Sequence, residues 1–358
     1  MCAKPGRNGL TACVLAACVL GGLAAAGAGH ADPLQRPARA SALVARRQMT
    51  ALAAIGPSRL IAVGQRGHAA VSGDGGASWA QVAMPVSVDL TAVQFVTPLQ
   101  GYAVGHDGVV LASADGGATW RKLLDGVAVN ALVLAQLAAQ PAGAERDRLL
   151  AEAQRNAAAG PDKPFLDLYF TSAREGFVVG AYNLILQTRD GGASWTSWYA
   201  RSDNGDKLLN LYAIRAHRGQ LFAAGEAGLL MRLDTARQRW VRVDTGYRGS
   251  FFGLLDCGDA LIAHGMRGHA VISRDGGASW RALATGLQGS ITASARGADG
   301  SLWLGDQIGK VVVSRDGGQT FNGMALPASQ PLAALQVSSN KLVMAGMRGL
   351  RSLPLPRN

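Results

Sequence analysis

Cysteine is nearly absent from most of this 358-residue chain, because three of its four cysteines lie within the first 18 residues. Cys257 is the one that remains further along the chain. A single thiol cannot form an intramolecular disulfide, so the fold beyond residue 31 must be stable without cross-links. The surrounding sequence, LLDCGD, contains no histidine, which favours a small buried hydrophobe over a catalytic nucleophile.

Glutamate is also scarce, and this limits acid–base chemistry. The four glutamates are Glu145, Glu152, Glu175 and Glu226. No histidine, aspartate and glutamate residues have the spacing of metal ligands, and no glycine-rich phosphate loop precedes a helix. We therefore expect no metal and no cofactor.

Long hydrophobic runs are missing beyond residue 31, but one lies at the start of the chain. Lys4 and Arg7 precede an apolar run over residues 10–28, and small residues surround His30. This pattern predicts a secretory signal peptide over 1–31, cut after Ala31, and a periplasmic protein of residues 32–358. The alternatives are an uncleaved anchor and a lipoprotein attached through Cys18, which follows Leu-Ala-Ala.

Acidic residues are outnumbered in the predicted mature chain, where 33 Lys and Arg stand against 24 Asp and Glu. Most of these cations are arginine, which favours carboxylates, acidic segments or phospholipid headgroups as partners. Nucleic acid is not expected, because the chain is predicted to be exported and contains no nucleic-acid-binding motif.

One octapeptide recurs along the chain. SGDGGASW (72–79), SADGGATW (113–120), TRDGGASW (188–195), SRDGGASW (273–280) and SRDGGQTF (314–321) are near-copies, and RLDTARQRW (232–240) is a divergent sixth copy. Two pairs of neighbouring copies are 41 residues apart. A period near 40 residues is typical of a β-propeller with four strands in each blade.

Each repeat divides into four short strands, as residues 89–124 illustrate. A glycine-containing turn after the second strand occurs seven times, and the seventh repeat supplies only three strands before the chain ends. The sequence therefore predicts an all-β, seven-bladed propeller. Residues 38–47 are predicted to add the strand that closes the last blade, which would remove an exposed edge.

The octapeptides, or Asp boxes, are predicted to stabilise turns rather than to catalyse. Their glycines allow positive φ, the carboxylate can accept backbone N–H bonds, and the tryptophan can pack between blades. The residues concerned are Asp74, Asp115, Asp190, Asp275, Asp316, Trp79, Trp120, Trp195 and Trp280.

Residues 127–164 interrupt the period, and their apolar spacing predicts a helical hairpin inserted between blades 2 and 3. Because connections between blades share a rim with the turns between second and third strands, we expect the hairpin to lean over that rim. Two roles remain open, an inert elaboration packed on the blades and a lid that binds a partner.

Basic residues are predicted to gather on the same rim. Arg66, Arg267 and Arg348 lie in the turns after second strands, and Arg201, Lys207 and Arg248 lie in connections between blades. Guanidinium groups bind carboxylates well, so an acidic segment or a chain terminus is the expected ligand. We expect the three turn arginines to point toward one shared funnel mouth.

The Asp boxes resemble those of bacterial neuraminidase repeat propellers. Together with the segment GPDKPFLDLYFTSAREGFVVGAYNLILQTRDGG at 160–192, they make residues 48–355 similar to the photosystem II stability and assembly factor family. The resemblance implies a non-enzymatic propeller, since members of that family bind the D1 reaction-centre precursor during assembly. We therefore expect a monomeric, exported assembly factor for a membrane-protein or envelope client.

The alternative is a glycoside hydrolase of the sialidase or xyloglucanase type on the same fold. Such an enzyme needs carboxylates beside the funnel. The candidates are Glu226, predicted to face the funnel, and Asp107 and Asp306, which occupy equivalent turns.

Overall fold

In the computed structural model, which describes residues 32–204, 207–327, 330–338 and 340–355, seven antiparallel sheets follow one another along the chain. Each sheet is a meander whose strands are paired in sequence order. Blade 1 contains β1 (Met49–Ala54), β2 (Leu60–Gly64), β3 (Ala69–Ser72) and β4 (Ala80–Val82). Blade 2 contains β5 (Leu90–Phe95), β6 (Gly101–Gly105), β7 (Val110–Ser113) and β8 (Arg121–Leu124).

The next three blades repeat this order. Blade 3 contains β9 (Phe165–Phe170), β10 (Gly176–Gly180), β11 (Ile185–Thr188) and β12 (Thr196–Ser197). Blade 4 contains β13 (Leu211–His217), β14 (Gln220–Gly225), β15 (Leu230–Asp234) and β16 (Arg239–Arg242). Blade 5 contains β17 (Phe251–Asp256), β18 (Leu261–Gly265), β19 (Ala270–Ser273) and β20 (Arg281–Leu283).

The last two blades differ in strand number. Blade 6 contains β21 (Ile291–Arg296), β22 (Leu302–Asp306), β23 (Val311–Ser314) and β24 (Asn322–Met324). Blade 7 contains three strands within the described residues, β25 (Leu332–Ser338), β26 (Lys341–Gly346) and β27 (Gly349–Pro354). The predicted seven-bladed propeller is confirmed, and so is the three-stranded last repeat.

The first strand of every blade lies innermost, and each contacts the first strand of the next, from β1 around to β25 and back to β1. Hydroxyl groups join some of these neighbours. Thr50 donates to the Leu90 carbonyl at 2.5 Å, and Thr91 donates to the Phe165 carbonyl at 2.7 Å. Such bonds fix the spacing of the strands that line the central channel.

Apolar clusters between the blades form the core. The Asp-box tryptophans pack against the preceding blade, as Trp120 of blade 2 does in a cluster with Ile61 and Val63 of blade 1. Phe95 meets the Trp120 ring edge-on, with ring centroids 6.0 Å apart. Each interface therefore needs both blades, and this favours one cooperative ring.

The predicted closing strand over 38–47 is wrong. This segment forms no strand; a short 3-10 helix at Val44–Arg46 contacts β27, and Val44 is buried. The Ala45 carbonyl oxygen lies against Gly349, at the place that a Cβ on this glycine would occupy. In the connection between blades 1 and 2, the Val86 carbonyl oxygen lies against Gly67 in the same way. Residues 45–48 therefore occupy the place of a connection between blades, and their backbone is not available to extend the sheet of blade 7.

The insert contains two helices, α1 (Gly126–Ala138) and α2 (Ala144–Ala159), as its apolar spacing predicts. Helix α1 begins beside the turn after β6 but then packs on blade 3, with Val129, Val133 and Leu137 buried. The hairpin therefore covers the side of blade 3 more than it leans over the rim. Its role as a lid stays a prediction.

Candidate functional site

The turns after the second strands have one backbone design. Arg66 and Arg267 adopt left-handed φ of 54° and 56°, and a glycine with positive φ follows each of them. The Arg66 amide donates to Asp89 Oδ1 at 2.7 Å, and the Arg348 amide donates to Gln330 Oε1 at 3.1 Å. The Arg66 turn is thus tied to the start of the next blade and the Arg348 turn to the start of its own blade, while both side chains remain exposed.

The turn arginines do not stand at the innermost strands. The central channel, a cavity of about 180 Å³, is lined by first strands and contains the Arg215–Asp167 ion pair. The turns carrying Arg66, Arg267 and Arg348 belong to the second and third strands, one strand further out. That these three arginines point toward one shared funnel mouth stays a prediction.

Four exposed cations lie on consecutive blades of this ring. Arg267, Lys310, Arg348 and Arg66 belong to the turns of blades 5, 6, 7 and 1, and we call them the basic sector. Within the part of the chain that the structure describes, none of the four forms an ion pair. Sequence reasoning missed Lys310, although the segment GDQIGK of blade 6 contains it directly after the turn glycine.

The other three predicted cations lie elsewhere on this rim, in connections around blade 4. Arg248 lies 3.8 Å from Asp244, and Arg201 stands over the Trp198 ring at 5.4 Å. Lys207 is exposed next to residues outside the described ranges. Arg201 and Arg248 therefore already have partners within the chain.

Two of the three carboxylates that a hydrolase would need accept hydrogen bonds from the protein itself. Glu226 accepts hydrogen bonds from the Asn210 amide at 2.9 Å and from the Tyr212 hydroxyl at 3.0 Å. Asp306 is fully buried in its turn and accepts from the Lys310 amide at 2.8 Å. Asp107 is partly exposed, and burial raises its pKa. These three residues therefore do not form a pair of free carboxylates that face one opening.

The five Asp boxes share one hydrogen-bond pattern. In the first, the Asp74 carboxylate accepts from the Ser78 amide at 2.9 Å, the Ser78 hydroxyl at 2.6 Å and the Ser72 hydroxyl at 2.7 Å. The Trp79 indole donates to the Gly76 carbonyl at 3.2 Å. These aspartates are occupied by their own turns, on the rim opposite the basic sector.

Neither a reactive thiol nor a metal cluster is found among the described residues. Burial raises the pKa of the Cys257 thiol to about 12, so the thiolate needed for attack is not populated at neutral pH. No group of three or more His, Cys, Asp or Glu side chains in the described ranges could hold a metal ion. None of the described helices is both long and apolar enough to span a bilayer.

Comparison with known proteins identifies the kind of propeller. Residues 155–321, which run from α2 through the Asp box of blade 6, match the family described as photosynthesis system II assembly factor YCF48. Nearly half of the chain is thus similar to a photosystem II assembly factor. The resemblance predicted from the Asp boxes and from residues 160–192 is therefore confirmed.

Curated proteins similar to part of this chain include two photosystem II assembly lipoproteins named Ycf48. They come from Synechococcus sp. (strain CC9902) and Parasynechococcus marenigrum (strain WH8102), and each is 31% identical over 139 residues. The matched segment is 38% of this chain and 41% of each relative, so the chain spans about two fifths of their length.

Two solved structures share the fold over nearly the whole propeller. YCF48 bound to D1 peptide has a TM-score of 0.63 at 16% identity, covering 87% of this chain and 95% of that chain. YCF48 from Cyanidioschyzon merolae has a TM-score of 0.62 at 15% identity, covering 88% and 97%.

Proposed function

We propose that this propeller is an exported, non-enzymatic binding and assembly factor for a membrane-protein or envelope client. Its relatives are assembly lipoproteins, and one structure with the same fold holds a D1 peptide. Two of the three carboxylates that would support a glycoside hydrolase accept from protein donors, Glu226 from Asn210 and Tyr212 and Asp306 from Lys310. Both observations favour binding over hydrolysis.

The basic sector is the proposed contact for the client. Four exposed cations on adjacent blades, without ion-pair partners in the described chain, are the observation that carries this assignment. Three of them are arginines, whose planar forks suit carboxylates, so the ligand is an acidic segment or a C-terminal carboxylate of the client. Arg248, Arg201 and Lys207 would add long-range attraction from the connections around blade 4.

The test is capture of membrane-derived clients by the purified protein, followed by mass spectrometry. Each charge-assisted bond contributes roughly 1.5–3 kcal/mol, so Arg66→Ala, Arg267→Ala and Arg348→Ala together should abolish capture. Wild-type capture should weaken as salt rises. The melting temperature should stay near wild type, because these side chains are exposed.

A matched triple variant on the opposite rim controls for the loss of net charge. Arg174, Arg189 and Arg315 are also exposed, and they lie in turns beside the Asp boxes. Their joint replacement by alanine should leave capture unchanged. Capture that survives the first triple substitution, or that is lost equally in both variants, would contradict the assignment.

Export through the predicted signal peptide is part of the proposal. The relatives are lipoproteins, which agrees with a location beyond the cytoplasmic membrane. Residues 1–31 lie outside the described residues, so cleavage after Ala31 and lipid attachment at Cys18 are two explicit alternatives. The N-terminus of the exported protein, Asp32 or a modified Cys18, distinguishes them.

A further inference from the structure

An open groove lies where blade 5 meets blade 6, next to the basic sector. It has a volume of about 390 Å³, and apolar side chains line most of it, with Lys310 at one side. Gly323 and Gly286 contribute no side chains, and a Cβ built on either of them would touch nothing within 4 Å.

The equivalent corner between blades 1 and 2 is filled by the chain itself. Leu34 from the N-terminal segment is buried there, in a cluster with Met84, Val109 and Trp120. The Lys122 ammonium donates to the Leu34 carbonyl at 3.1 Å. The repeat therefore has an internal example of a segment bound at this corner.

The strand register defines which residues correspond in the two corners. In blade 6 Gly323 pairs with Val312, and in blade 2 Lys122 pairs with Leu111. Gly323 therefore has the same register position in blade 6 as Lys122 has in blade 2. By the same alignment Lys310 replaces Val109, Phe321 replaces Trp120 and Thr285 replaces Met84. Each change except Val109→Lys310 removes volume, and this accounts for the open groove.

The backbone groups that would bind a segment are also present. Between blades 1 and 2, the Ser87 amide donates to the Pro33 carbonyl at 2.9 Å, and the Ala38 amide donates to the Met84 carbonyl at 3.0 Å. The corresponding groups beside the groove are the Gln288 amide and the Thr285 carbonyl. Neither has a hydrogen-bond partner within the described ranges.

We propose that this groove binds a short segment of a partner polypeptide, in the way the corner between blades 1 and 2 binds residues 33–38. The segment would place a leucine-sized side chain against Phe321 and Leu287. An acidic residue that directly follows this leucine-sized residue would place its carboxylate beside Lys310. Lys310 has the position that Val109 has in the filled corner, where Val109 belongs to the cluster of Leu34. The proposal shares Lys310 with the basic sector but requires none of the three turn arginines, so the triple arginine variant distinguishes it from the client assignment.

Fluorescence anisotropy with a labelled ADPLEA peptide tests the groove in the purified protein. Gly323→Lys adds the ammonium that donates to the Leu34 carbonyl in the filled corner, so it should strengthen binding by roughly tenfold, the effect of one charge-assisted hydrogen bond. Ala282→Lys is the matched control, since Ala282 holds the same register position in blade 5 and is exposed. It should bind like wild type.

Two further measurements locate the peptide and its charge contact. The methyl resonance of Met324, which lines the groove, should shift on binding, whereas that of Met84 in the filled corner should not. Lys310→Gln should weaken binding of ADPLEA but not of ADPLQA.

Three outcomes would overturn the proposal. They are no binding of ADPLEA, equal binding of ADPLEA and ADPSEA, and binding that Gly323→Lys leaves unchanged. If Gly323→Lys instead strengthens a dimer seen by sedimentation, the occupant is a second copy of this chain, and the partner assignment is wrong.

Discussion

The Asp-box carboxylates are single residues whose ionisation is coupled to folding. Hydrogen bonds from the Thr119 hydroxyl and amide lower the pKa of Asp115 to about 2, and those from Ser194 lower the pKa of Asp190 to about 2. Their ordinary value is about 4. Because the folded pKa is depressed, the stabilisation is fully present above about pH 4 and is lost as pH falls toward 2.

Asp115→Asn and Asp190→Asn test this linkage. Each variant should melt at a lower temperature than wild type at neutral pH, because the carboxylate bonds are lost. Its melting temperature should then fall less steeply than that of wild type between pH 4 and pH 2. Asp244→Asn, at an exposed connection outside the Asp boxes, should keep the wild-type slope. Parallel curves for all four proteins would exclude a pH-dependent role for the boxes.

Among the elements, helix α1 is joined to a sheet by one side chain. Gln136 accepts from the Ser197 amide at 2.7 Å and donates to the Trp195 carbonyl at 3.3 Å, so its amide pairs with β12 as a neighbouring strand would. Strand β12 has only two residues, and α1 covers it. An exposed strand edge is thereby protected without a fifth strand.

Gln136→Ala should therefore destabilise the protein by about 1–3 kcal/mol, because the Ser197 amide and the Trp195 carbonyl lose their partner. Gln154→Ala, on the exposed side of α2, should stay within about 0.5 kcal/mol of wild type. Urea unfolding measures both. If Gln136→Ala is as stable as the control, the helix is held by its apolar contacts alone.

For the whole molecule, periodicity was enough to predict the ring. The 41-residue spacing and the recurring turn determine seven blades, and apolar spacing predicts two helices between blades 2 and 3. The basic sector was found in part, since Arg66, Arg267 and Arg348 lie in turns that the repeat identifies. Lys310 was missed because it follows the glycine of its turn, where blade 1 has His68 and blade 2 has Val109, so the alignment of the repeats does not indicate a cation there.

Closure of the ring could not be predicted, because the apolar pattern of residues 38–47 suits a strand and a connection equally well. In the structure the backbone of this segment is bonded elsewhere. The Ser41 amide donates to Gln81 Oε1 at 2.6 Å, and Gln81 Nε2 donates to the Arg39 carbonyl at 2.9 Å. These bonds lie across blade 1, so the position of the segment depends on a side chain 40 residues away.

The N-terminal segment is thus a strap that joins blades 2, 1 and 7, with Leu34 buried at one end and Val44 at the other. Leu34→Ala with Val44→Ala should lower the free energy of unfolding by about 3–6 kcal/mol, because both sites leave cavities at blade junctions. Leu43→Ala is the control, since Leu43 is 52% exposed in the same segment. The double variant should remain monomeric, because the strap covers no strand edge of blade 7 by pairing. Aggregation of the double variant at wild-type stability would instead point to closure through strand pairing.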